Sequence, residues 1–193
     1  MQKKKTIFLL IVCLIISTLF YGCEKKQSNE KNKFAIYFVK AEAKEKALSY
    51  GRDENGEYVK PESDIKSLPI EKSPILTEKD IKKFNWNTQE IEVTDEYLKN
   101  HEAKVQGENV SKVGSKLLGA KELDAVIIVV NGERIYCAGF PIDERKSCFP
   151  PEYMISDASK NTISIKKNGN KGKDLRKDER IYNALKNVNI LVE

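Results

Sequence analysis

DAVIIVVNGERIYCAGF, residues 124–140, is the stretch from which the fold of this chain is read. Ala125 to Val130 is an unbroken apolar run of strand length, rich in the β-branched side chains that suit a pleated surface. Asn131-Gly132 follows, the dipeptide that most readily supplies two successive positive φ angles in a two-residue hairpin loop. Arg134 to Phe140 then alternates back. The pattern predicts an antiparallel β-hairpin at the centre of the fold.

Upstream of the hairpin the signals are mixed. FAIYFVK, residues 34–40, crowds aromatic and branched aliphatic residues as a buried strand does. Ala41 to Tyr50 suits a short helix, Asp53 to Gly56 a turn, and Glu57 to Val59 an edge strand. Thr77 is placed to cap a helix with Glu78 and Asp80 in its first turn, and Ile81 and Phe84, three apart, form its apolar face. Gln89 to Val93 alternates as a half-buried strand, and Thr94 caps a second helix that carries Tyr97 and Leu98. Gly107, Gly114 and Gly119 interrupt residues 107–123, which have no clear periodicity.

Downstream, Thr162 to Ile165 reads as a strand, KKNGNKGK as a loop, and DLRKDERIYNALKN, residues 174–187, as a helix burying Leu175, Ile181, Tyr182 and Leu185. Asn189 to Val192 is a last strand. Strands and helices alternating around a hairpin predict an α+β domain, with a mixed or antiparallel sheet and helices on one face.

The N-terminus follows a different logic. Lys3, Lys4 and Lys5 precede an apolar run, Thr6 to Tyr21, which contains Cys13 and ends at Gly22-Cys23. The run is shorter than the roughly 20 residues a helix needs to cross a bilayer, and its shape is that of an export signal. The small residue followed by a cysteine resembles the bacterial lipoprotein signal, which implies that Cys23 takes a diacylglycerol on its sulfur and begins the mature chain. Phe20 and Tyr21 depart from that signal, which favours Leu and then a small residue at their positions. EKKQSNEKNK, residues 24–33, has no apolar side chain and predicts a flexible tether reaching about 30 Å at full extension. The expected organisation is a signal over residues 1–22, a lipidated cysteine and tether over residues 23–33, and one extracytoplasmic domain over residues 34–193.

PILTEKDI, residues 74–81, together with VIIVVNGERIYCAGF, residues 126–140, resembles a family of small lipoproteins of low-GC Gram-positive bacteria. The same stretches are similar to the extracytoplasmic domain of the SecD translocation subunit. The resemblance implies a ferredoxin-like arrangement and carries no catalytic residue with it.

Composition excludes several functions. The formal charge is +5, but three of the positive charges are the lysines ahead of the apolar run, so the remainder is close to neutral. No dense basic patch interleaved with aromatics is present, and nucleic-acid binding is not expected. His101 is the single histidine, and Val105 stands where a zinc-binding His-Glu-x-x-His helix needs its second ligand. Ser-x-x-Lys occurs at Ser63 to Lys66 and Ser164 to Lys167 without the companion motifs of penicillin-interacting serine enzymes. Asp53 to Glu57 lacks the alternating oxygens of a calcium loop. No cofactor or metal site is expected.

Cys137 and Cys148 are the remaining cysteines. Outside the cytoplasm they suggest a disulfide closing a loop of about 12 residues, for which chain entropy predicts about 3 kcal/mol. Two free thiols are the alternative, since Cys137 lies in a strand. The functional expectation is a membrane-anchored, non-enzymatic binding or accessory module of the cell envelope, held by its lipid and meeting an envelope protein or peptide. A thiol-redox factor or hydrolase using Cys137 and Cys148 or His101 is the competing reading.

Overall fold

The hairpin is the centre of the molecule. In the computed structural model, which describes residues 34–48, 51–52, 58–59, 64–105, 114–140, 151–169 and 172–193, β7 (Ala125–Val130) pairs antiparallel with β8 (Glu133–Gly139). Asn131 and Gly132 turn the chain with φ of 51° and 82°, as a primed two-residue turn requires. A bulge between Ile128 and Val129 inserts Ile135 into the ladder. Tyr136 then stands opposite Ile128 and Arg134 opposite Val129, so a one-residue insertion shifts the face of everything beyond it.

Nine strands form one mixed sheet in the order β11-β5-β6-β10-β9-β8-β7-β1-β4. Besides the hairpin these are β1 (Phe34–Phe38), β4 (Leu76–Thr77), β5 (Ile81–Asn85), β6 (Glu90–Val93), β9 (Tyr153–Ser159), β10 (Thr162–Lys167) and β11 (Leu191–Val192). The β8–β9 and β5–β11 pairs are parallel and the rest antiparallel. A separate two-stranded sheet joins β2 (Gly51–Arg52) to β3 (Tyr58–Val59). The large sheet curls strongly into a half-barrel, rather than forming a clear ferredoxin-like layer. The domain is α+β, and the described residues all belong to one compact unit, Asn32–Glu193.

Among the described residues three helices accompany the sheet: α1 (Lys44–Leu48), α2 (Asp95–Val105) and α3 (Glu179–Asn187). Ile181, Ala184 and Leu185 of α3 and Tyr97 of α2 join the main core, with Phe34, Ile36, Phe84, Val126, Ile128, Val130, Ile155 and Ile163. The helices do not all lie on one face. Ala43 and Ala47 pack instead in a second cluster with Val39, Leu68, Ala125, Ile127, Val129 and Cys137. Alternate residues of β7 belong to the two clusters, and all six are buried. A continuous apolar strand has two faces to cover, and at about 1.5–3 kcal/mol for each fully buried aliphatic side chain, neither face can be left to water without large cost. Lys44 closes the second layer, its Nζ 2.5 Å from Asp124 Oδ1, and Arg134 Nη1 donates to the carbonyls of Ile65 and Leu68.

The segment after Thr77 departs from expectation. Thr77 and Asp80 do form a capping box, but around a single 3-10 turn, Glu78–Asp80, after which the chain extends as β5. Ile81 and Phe84 are both buried while Lys82 and Lys83 are exposed. A bulge between Ile81 and Lys83 puts residues three apart on one side of the sheet, which reproduces a helical spacing in a strand. The tail helix is also shorter than its apolar pattern: Leu175–Lys177 is a 3-10 turn, and α3 starts afresh after Asp178, whose side chain accepts from Arg180 N. The β9 strand was not legible in advance because only its first residues alternate, with a burial pattern that runs out into exposed Asp157, Ala158 and Ser159.

Candidate functional site

Helix α2 begins at Thr94, whose hydroxyl accepts from Tyr97 N at 3.2 Å. That cap directs Tyr97 inward, where its hydroxyl donates to Leu117 O at 3.1 Å. Burial raises the Tyr97 phenol above its ordinary pKa and keeps it a neutral donor. His101, one turn on, lies on the same helix face, and its ring stacks on Tyr97 at 5.1 Å with an interplanar angle of 11°.

Opposite α2 the chain folds back on itself between residues 114 and 120. Ser115 and Ala120 exchange backbone hydrogen bonds of 3.1 and 2.8 Å. Gly114 has φ of +107°, and a Cβ there would stand 2.3 Å from Ala120 O, so only glycine fits. Asp157, at the end of β9, fastens this loop: one carboxylate oxygen accepts from Ser115 Oγ at 2.5 Å and the other from Lys116 N at 2.8 Å.

Between these pieces is a cavity of about 300 Å³ lined by Leu98, His101, Lys116, Leu117, Asp157, Ser159 and Lys160. Of these, only His101 was singled out from sequence. The others are brought together by tertiary structure from α2, the 114–120 loop and β9. Of the other polar groups here, Asp157 holds the loop and Ser159 Oγ donates to Asn161 Oδ1 at 3.1 Å.

The other candidates stand apart from this cavity. Cys137 is a free, buried thiol on β8, and burial pushes its pKa up to about 12, the opposite of an activated thiolate. Its expected disulfide partner Cys148 lies outside the described residues, as do Cys23, residues 1–33, Asp53 to Glu57 and Ser63. Ser164 and Lys167 are three apart on β10, so their side chains point to opposite faces and cannot act as a pair. Asp174–Arg176 and Asp178–Arg180 are ion pairs at the two helical starts, with each aspartate also capping backbone. Among the described residues no group of three or more His, Cys, Asp and Glu side chains could hold a metal ion, and no helix is long and apolar enough to cross a membrane.

Compared with known proteins, the chain matches no family model, no curated protein and no solved structure.

Proposed function

We propose that this chain is a lipid-anchored extracytoplasmic protein whose domain is a non-enzymatic binding module of the cell envelope. The anchor rests on the sequence alone, on the basic start, the apolar run and Gly22-Cys23. The binding role is supported by one observation: a cavity walled by Leu98, Leu117 and the His101 ring, around which the candidate reactive groups are occupied in holding the fold. The sheet edges offer less. They end in the two-residue strands β4 and β11, which leave little ladder for an added peptide strand. The cavity face is therefore the better-formed place for a ligand. The competing reading, a thiol-redox factor or hydrolase, loses support from the burial of Cys137 and from the engagement of Asp157 and Ser159.

Labelled palmitate fed to cells that express the chain tests the anchor. Wild type incorporates label and Cys23→Ala does not; equal incorporation by both would sink the lipoprotein reading.

A further inference from the structure

We propose that the cavity between α2, the 114–120 loop and the end of β9 takes a small amphiphile with one carboxylate on an apolar or aromatic body. The proposal rests on the binding-module reading and names the ligand class of that site. Three properties of the walls lead to it.

The first is the inner lining. Leu98 is half-buried and Leu117 buried, and the His101 ring, lying flat on Tyr97, supplies an aromatic face. Such a surface is mostly apolar and receives hydrocarbon.

Charge at the rim is the second. Lys116 and Lys160 are exposed, and among the described residues neither ammonium group has an ion-pair partner. Among the described residues of the lining Asp157 is the one carboxylate, and both its oxygens already accept hydrogen bonds from the loop. Among the described residues the rim thus presents two cations against one anion. A cationic ligand would meet two like charges at the rim, whereas a carboxylate there meets opposite ones while its apolar body takes the inner lining.

Size is the third. About 300 Å³ equals roughly ten water-sized groups and lies at the lower end of small-molecule cavities. A sugar polymer or a folded protein does not enter it.

The test uses the full chain in phosphatidylcholine nanodiscs at fixed pH, labelled with nitrogen-15 histidine. His101 is the chain's single histidine, so one imidazole reports on the cavity wall. The probe is 4-phenylbutanoate, with 4-phenylbutanamide and 4-phenylbutylamine as neutral and cationic controls of the same shape. The expected result is a saturable shift of the His101 signals with the acid and weaker binding of both controls. The Lys116→Gln/Lys160→Gln variant binds the acid about five- to tenfold more weakly, as expected for two exposed charge contacts, while its far-UV circular dichroism is unchanged. Equal binding of acid and amide, or undiminished acid binding by the double variant, overturns the selection for an anion. A signal that no probe shifts overturns the site. Palmitate labelling at Cys23 is read separately, so these failures and a failure of the anchor are told apart.

Discussion

Replacing Gly132 by valine isolates the energy of the central turn. Gly132 has φ of +82° and Asn131, before it, φ of 51°. A Cβ built at Gly132 meets no atom within 4 Å, so the substitution creates no clash and its cost is conformational. Holding an L-residue in the left-handed region costs about 1–2 kcal/mol, with a β-branched side chain at the upper end. Loss of glycine's freedom in the unfolded chain returns about 0.4–1 kcal/mol. The net destabilisation expected for Gly132→Val is about 1–1.6 kcal/mol, and for Gly132→Asn, which tolerates positive φ, well under about 1 kcal/mol. With a urea slope of about 2 kcal/mol/M, the valine midpoint falls by about 0.5–0.8 M. The assay is urea unfolding of residues 32–193 followed by circular dichroism and, separately, by Trp86 fluorescence. A valine midpoint equal to wild type would refute the assignment of the turn. An asparagine variant as unstable as valine would show that the open space around Gly132, and not its φ, had been misjudged.

Cys137 should be inert to iodoacetamide in the native domain and react once urea unfolds it; a thiol that stays blocked after unfolding would mean that it is bridged. Because burial raises its folded pKa to about 12, the stability it contributes is complete below the unfolded thiol value of about 8.5. That stability is lost as pH rises towards 12, at up to about 1.4 kcal/mol per pH unit, a slope that Cys137→Ala should reduce in alkaline urea melts. Asp178→Ala removes the cap of α3 and the partner of Arg180, and should cost about 1–2 kcal/mol, read as a lowered urea midpoint. The Arg180 guanidinium holds the Asp178 carboxyl down at about 2, so its contribution is present above the unfolded value near pH 4 and is lost as pH falls towards 2; wild type and variant should converge in acid melts.

How far the sequence reaches differs from element to element, and the difference is physical. The hairpin was legible because its information is local: an apolar run, a dipeptide that tolerates positive φ, and a return strand all lie within residues 124–140. The capping signals at Thr77 and Thr94 were equally local, but a cap states only that a turn of helix begins. Whether it continues depends on what the next residues can bury. After Thr94 it continues through Val105, while after Thr77 it stops at Asp80 and Ile81 enters a strand. There a bulge gave the spacing of Ile81 and Phe84 a meaning that periodicity cannot express.

The cavity was the least legible feature. His101 could be named in advance as the chain's single histidine, but its neighbours Lys116, Asp157 and Lys160 are ordinary polar residues of a charge-rich chain. By itself the sequence determined the hairpin and the α+β character, because each depends on residues close along the chain. Only the tertiary structure decided the curl of the sheet, the cover on both faces of β7 and the meeting of α2 with the 114–120 loop and β9. Those depend on which distant surfaces exclude water together, and contacts across forty or more residues, such as Ser115 with Asp157, leave no periodic trace.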